Sequence, residues 1–222
     1  MLSKITANPP PLIFLDTLHH FPETLALISK LREHYNSTGF TLHTFTPAGL
    51  PTTAAFTNKY GPSLWDTDPD LYDWVAKVEP LQRAFSTLHV KAILTGRRRS
   101  QGGKRGDLDI VEIDDVGMVK VNPLANWDFE KVNTYVQAHG VPTNELLKKG
   151  YRSVGDWHST KPVKAGEDER SGRWQGQQRT ECGIHNPKSK FAKFLREQEA
   201  KEREEALKLK LGKQHMEALK LV

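Results

Sequence analysis

The apolar pattern begins with "PLIFLDT", where Leu12, Ile13, Phe14 and Leu15 run without alternation and a polar pair closes the run. An unbroken run of this length predicts a buried strand of a parallel sheet. In "FPETLALISKLREHY" the period changes: Leu25, Ile28, Leu31 and Tyr35 recur at helical spacing, and Pro22 suits a first turn. "FTLHTFTP" predicts a second strand. "DPDLYDWVAKVEPLQRAFSTL" predicts a helix with a kink or break at Pro80, which lacks the N–H a helix interior needs. "VKAILTG" predicts a third buried strand. Strand, helix, strand, helix, strand is the alternation of a mostly parallel sheet covered by helices.

Farther on, "DIVEID" and "MVKVNP" predict a hairpin turning at Asp115, Val116 and Gly117. "WDFEKVNTYVQAHG" predicts a helix with Phe129, Val132 and Val136 on one face and Gly140 at its C-cap. Residues 150–187 are rich in Gly, Lys, Arg, Ser and His and show little periodicity, which points to a functional loop or to disorder. The tail, residues 188–222, is charged, with acids and bases at i,i+4 spacing; it predicts a solvated helix interrupted at Gly212.

Composition narrows the class. A chain of 222 residues, 37% hydrophobic and 27% charged, can bury a substantial core and contains no membrane-spanning run. The net charge is +5, but residues 186–222 hold ten Lys/Arg against six Asp/Glu and so carry +4 of it. The body is nearly neutral, which argues against a nucleic-acid surface. "GRRRSQGGKR" is the exception, with five cations between Arg97 and Arg105 and no acid among them. Guanidinium groups bind phosphate bidentately and glycines let backbone N–H groups approach an anion, so Arg97, Arg98, Arg99, Gln101, Lys104 and Arg105 read as a phosphate site or as a solvated basic turn. Asp16 and Thr17 end the first strand as Gly96 ends the third, and ligands of open parallel sheets bind at such ends.

"RTECGIH" holds the one cysteine. A single thiol excludes an internal disulfide and points to a reducing compartment, the cytoplasm. It also excludes an iron–sulfur cluster, and no second Cys pair accompanies His185 to make a zinc site. Free cysteines are often buried as small apolar residues. Arg179, Glu181 and His185 are poor company for that role, and a nucleophile is the other reading. Arg179 and His185 are the sequence-local candidates for cations that favour the thiolate, and Glu181 acts in the opposite sense unless it points away.

Five segments decide more than any one motif. "LTGRRRSQGGKRGDLDIVEID", "VNPLANWDFEKVNTYV", "VPTNELLKKGYRSVGDWHSTKPV", "GEDERSGRWQG" and "TECGIH" together resemble the fungal phosphoadenylyl-sulfate (PAPS) reductases, in collinear order. "FLDTLHHFPETL" and "LWDTDPDLYDWVAKVEPLQRAF" match the earlier part of the same family. The resemblance implies a doubly wound, mostly parallel α/β fold of the adenine nucleotide α-hydrolase-like kind, followed by a mobile catalytic segment and a helical tail. It implies an organisation of 1–149 as the nucleotide-binding domain, 150–187 as the catalytic segment and 188–222 as the tail.

The implied reaction converts PAPS to sulfite and adenosine 3′,5′-bisphosphate in sulfate assimilation, with thioredoxin as external reductant, no bound cofactor and no iron–sulfur cluster. Cys182 would be the nucleophile, through an S-sulfonate, with Arg179 and His185 beside it. Asp16, Thr17, Arg97, Arg98, Arg99, Gln101 and Arg105 would line the nucleotide, and Trp157, His158 and Arg170 would close around the sulfonyl group. A homodimer is expected. Family members begin earlier, with a strand and a Ser/Gly-rich loop that "MLSKIT" lacks, so the fold is expected to be N-terminally truncated. That departure keeps a second expectation open: a catalytically impaired paralogue or fragment that binds nucleotide or a partner.

Overall fold

The structure is a computed structural model that describes residues 2, 5, 6, 8–114, 117–164, 166–175 and 184, the side chain of Lys104 excepted. The expected tail helix therefore lies outside the described residues, as do Asp115 and Val116 of the hairpin turn.

β1 (Leu12–Leu15) pairs in parallel with β2 (Leu42–Phe45), Leu12 opposite Leu42 and Leu15 opposite Phe45. Between them runs α1 (Pro22–Tyr35), with Pro22 in its first turn as expected. α2 (Thr53–Tyr60) starts where the Thr52 hydroxyl accepts the Ala55 N–H, and α3 (Leu64–Thr67) follows. α4 (Pro69–Asp73) starts where the Asp68 carboxylate accepts the Leu71 N–H. Caps of this kind satisfy N–H groups that the helix itself leaves open. α5 (Glu79–Thr87) leads to β3 (Ala92–Leu94). β4 (Val111–Ile113) and β5 (Val119–Val121) form the expected hairpin, with β5 also parallel to β3, and α6 (Phe129–Ala138) follows.

The break expected at Pro80 is a π turn, Trp74–Val78, ending where α5 begins. The Glu79 N–H reaches back five residues to the Trp74 carbonyl. Proline cannot donate the next helical bond, and the widened turn absorbs the mismatch. α5 is then fixed to β2 by Arg83, which donates to the Thr46 carbonyl at 2.5 Å and lies over the Phe45 ring.

Three expectations change in detail. The parallel pairings hold, but the described strands form a two-stranded sheet (β1–β2) and a three-stranded one (β3–β5–β4) rather than one continuous sheet. β3 is not buried on both faces. The register aligns Leu94 with Val121 and Val111, and Ala92 with Val119 and Ile113, on one open face where Leu94 is 48%, Val111 56% and Ile113 72% exposed. The apolar stripe of α1 is at most half-buried, and Leu25 is exposed.

The buried core lies elsewhere. Leu50, Phe56, Leu64, Tyr72 and Ala76 cluster with Leu18, Trp65 and Val75 packed against them, beside the loop that follows β1. This core walls the site on one side. No helix among the described residues is long and apolar enough to cross a membrane.

Candidate active site

The site grows from the loop after β1. The Asp16 carboxylate accepts the Leu18 N–H at 2.9 Å, and Leu18 takes a left-handed conformation (φ 66°). Few residues with a branched side chain hold that geometry, and such strain clusters at functional loops. The turn aims Thr17 and His19 inward, where both are buried.

The Thr17 hydroxyl donates to Asp156 at 2.6 Å, across the chain from the irregular segment beyond Gly150. Asp156 is 3% exposed and is also the acceptor of the Tyr72 hydroxyl at 3.1 Å and of the Lys77 ammonium at 2.8 Å. Lys77 donates a second bond, at 3.0 Å, to Asp73 one helical turn before it. Burial alone would push the Asp156 carboxyl up. The Lys77 charge and hydrogen bond, with the Thr17 hydroxyl, override it and hold the group well below the usual carboxylate range. Burial, reinforced by the Asp156 charge, pushes the Tyr72 phenol far above its ordinary value, so it remains a donor.

Histidines complete this cluster. His19 donates through Nδ1 to the Thr17 carbonyl at 2.8 Å and sits among Phe56, Trp65 and Tyr72. Burial lowers its pKa. His158 stacks on Trp65 with ring centroids 4.3 Å apart, and burial lowers it to about 4, so the ring is neutral at pH 7. Its Nε2 lies 3.7 Å from Asp156.

A second polar cluster forms where β3 ends. Thr95 donates to Asn122 at 2.5 Å, and Asn122, fully buried, donates to the Asp109 carbonyl and to Glu112. Arg97 pairs with Glu112 and donates to the Thr95 hydroxyl. Arg98 is buried and directs Nη2 at both oxygens of Glu169, at 2.7 and 2.5 Å. Arg99 donates to the Leu108 carbonyl and to Asn126. Gln101 accepts from the Arg98 N–H and from Arg105.

The segment 150–175 ties the two clusters together. Asp156 grips the loop after β1, and Glu169 grips the basic loop. Between them the segment folds on itself: the Lys161 backbone N–H donates to the Gly172 carbonyl, Thr160 pairs with Arg173 in a β-bridge, and the Trp174 backbone N–H reaches the Ser159 carbonyl. Gly172 lies so close to the Lys161 carbonyl that a Cβ would collide with it.

A family model described as the phosphoadenosine phosphosulfate reductase domain matches residues 1–162. The chain belongs to that family. It is 59% identical over 210 residues to the phosphoadenosine phosphosulfate reductase of Emericella nidulans, covering 93% of this chain and 68% of that protein. Over 201 residues it is 53% identical to the Saccharomyces cerevisiae enzyme of the same name, covering 89% and 77%. The crystal structure of the Candida auris PAPS reductase, in its phosphate complex, superposes with a TM-score of 0.64 at 46% identity, covering 72% of this chain and 74% of that one.

Within this reductase-family fold, the sequence-derived site residues divide. Thr17, Trp157 and His158 are brought together at Asp156, although Trp157 is half-exposed and His158 is turned inward against Trp65, while Asp16 holds the Leu18 N–H of the same loop. Arg97 and Arg98 face carboxylates of the protein itself, and Arg170 lies over the Trp174 ring. Cys182, Arg179 and His185 lie outside the described residues. Lys77, Asp73, Tyr72, Asp156 and Glu169 were not singled out by sequence. Among the described residues no group of three or more His, Cys, Asp or Glu is arranged to hold a metal ion.

Proposed function

We propose that this chain reduces PAPS to sulfite and adenosine 3′,5′-bisphosphate in sulfate assimilation, with Cys182 as nucleophile and thioredoxin as reductant. The observation that supports it most is the segment leading to Cys182, clasped at Asp156 to the loop after β1 and at Glu169 to the basic loop, in a chain that is 59% identical to a phosphoadenosine phosphosulfate reductase. The 1–149 body then serves as the nucleotide domain, 150–187 as the catalytic segment and 188–222 as an accessory tail.

In this reading the Cys182 thiolate attacks the sulfur of the sulfonyl group. A new S–S bond forms, the S–O bond to the nucleotide phosphate breaks, and adenosine 3′,5′-bisphosphate leaves with that electron pair. A thioredoxin thiolate then attacks the Cys182 sulfur. Sulfite departs with the S–S pair, and the second thioredoxin thiol resolves the mixed disulfide, returning Cys182 as a thiolate. Both electrons come from the thioredoxin dithiol, so the scheme uses no bound cofactor and no iron–sulfur cluster. Arg97, Arg98, Arg99, Gln101 and Arg105 meet the substrate phosphates, which for Arg97 and Arg98 means exchanging a carboxylate partner for a phosphate. Asp16 and Thr17 line the nucleotide, and Trp157, His158 and Arg170 close on the sulfonyl end with Arg179 and His185.

The lone cysteine supports a cytoplasmic location. The open apolar face of β3–β5–β4 supports a homodimer. The test is sulfite release from PAPS by the full chain with reduced thioredoxin. Turnover that Cys182→Ser abolishes supports the reading; no turnover from a folded chain that still binds adenosine 3′,5′-bisphosphate favours the impaired paralogue instead.

A further inference from the structure

Resting on the proposed sulfonyl transfer, we propose that Asp156 is a positioning residue: its buried carboxylate holds the loop after β1 and the segment leading to Cys182 in one arrangement for that step. Three side chains from two parts of the fold converge on it, Thr17 at 2.6 Å, Lys77 at 2.8 Å and Tyr72 at 3.1 Å. The backbone fixes the same junction. His20 and Asp156 form an antiparallel bridge, and the Trp157 N–H donates to the His19 carbonyl at 2.9 Å.

From that junction the constraint passes along the segment by short steps. The Thr160 hydroxyl donates to the Asp156 carbonyl at 2.9 Å. Thr160 bridges Arg173, and the Trp174 N–H donates to the Ser159 carbonyl at 3.0 Å. Trp174 is buried and stands eight residues before Cys182. The relay thus carries the constraint from Asp156 to Trp174, on the side of the segment that leads to Cys182.

Stability alone is a weak reason for such a group. A buried ion pair is often no more stabilising than apolar residues of the same shape, because removing both charges from water offsets their attraction. What Asp156 supplies is direction. Its two oxygens accept from three donors on separate elements, which sets one mutual register of the loop and the segment, and displacements of about 1 Å near reacting groups are worth up to roughly 100-fold in rate.

The test compares wild type with Asp156→Asn in the full chain. It uses the single-turnover rate of S-sulfonate formation at saturating PAPS, affinity for adenosine 3′,5′-bisphosphate, and hydrogen exchange. Asn keeps the shape but turns a donor toward Thr17, Tyr72 or Lys77. The expected result is a sulfonation rate lower by about 10- to 100-fold with nucleotide affinity within about threefold. The amides of Trp157 and Trp174 should exchange faster while those of α5 are unchanged. Tyr72→Phe, which removes one donor and keeps the ring, should show the same pattern more weakly, and stands in if Asp156→Asn does not fold. Sulfonation at the wild-type rate, equal loss of rate and affinity, or unchanged exchange at Trp174 would each overturn the assignment. If wild type itself forms no adduct, the PAPS-reduction reading fails separately, and the exchange comparison still decides whether Asp156 fixes the segment.

Discussion

Replacing Lys77 with methionine isolates the buried charge cluster. Lys77 is 7% exposed and bonds Asp73 at 3.0 Å and Asp156 at 2.8 Å, so Lys77→Met keeps most of the side-chain volume and removes the ammonium from the buried Asp156 carboxylate. Breaking a buried pair from one side costs about 3–5 kcal/mol. In a domain of this size that lowers the melting temperature by roughly 6–20 °C. The control is Lys149→Met, which breaks an exposed pair with Glu23 of the same 2.8 Å length. An exposed pair is worth about 1 kcal/mol or less, so the control should shift by about 4 °C at most. The gap between Lys77→Met and wild type should also narrow on acidification. Without the Lys77 charge, burial pushes the Asp156 carboxyl up, so the variant's native state takes up a proton before its unfolded chain does. Thermal unfolding followed by circular dichroism at pH 7 and pH 5 reads both effects. Equal losses for the two variants, or a gap that does not narrow, would refute the reasoning.

Further expectations are as direct. The His158 ring titrates near 4 in the fold against 6.5 for the free group, so its contribution is full above about pH 6.5 and is lost as pH falls toward 4, where only the unfolded chain binds the proton. Urea midpoints should fall across that window by the equivalent of roughly 2 kcal/mol, and His158→Phe should flatten the slope. Glu169→Gln removes the carboxylate that holds Arg98 and should tighten adenosine 3′,5′-bisphosphate binding by about fivefold, near 1 kcal/mol; calorimetry showing unchanged affinity would mean that Arg98 does not meet the phosphates. Cys182→Ser should abolish sulfite formation and keep nucleotide affinity, and equal loss of both would contradict its role as nucleophile.

Sequence pattern located the elements better than their surroundings. The runs at Leu12–Leu15 and Leu42–Phe45, the Pro22 helix start and the hairpin between Val111 and Val121 were legible because each rests on local chemistry. The open face of β3–β5–β4 was not legible. An apolar run states what a strand could bury against, and what covers it is a tertiary fact. Pro80 announced a break, but a π turn and a kink share that signal. The Asp156 cluster was hidden for a similar reason. Asp73 and Lys77 at i,i+4 look like a solvated helical pair, and Asp156 like one charge in an irregular segment. Only folding brings groups 79 residues apart within 2.8 Å. Glu169 could have been suspected: a basic loop without a local acid needs a distant one when an arginine in it is buried. The family resemblance supplied Cys182, which spacing alone could not separate from a buried thiol.

The measurement to make first is the intact mass of the full chain after incubation with PAPS in the absence of thioredoxin. The expected result is a single sulfonate adduct that maps to Cys182 and is discharged as sulfite when reduced thioredoxin is added. A folded chain that binds adenosine 3′,5′-bisphosphate and forms no adduct would contradict the assignment of Cys182 as the nucleophile of PAPS reduction.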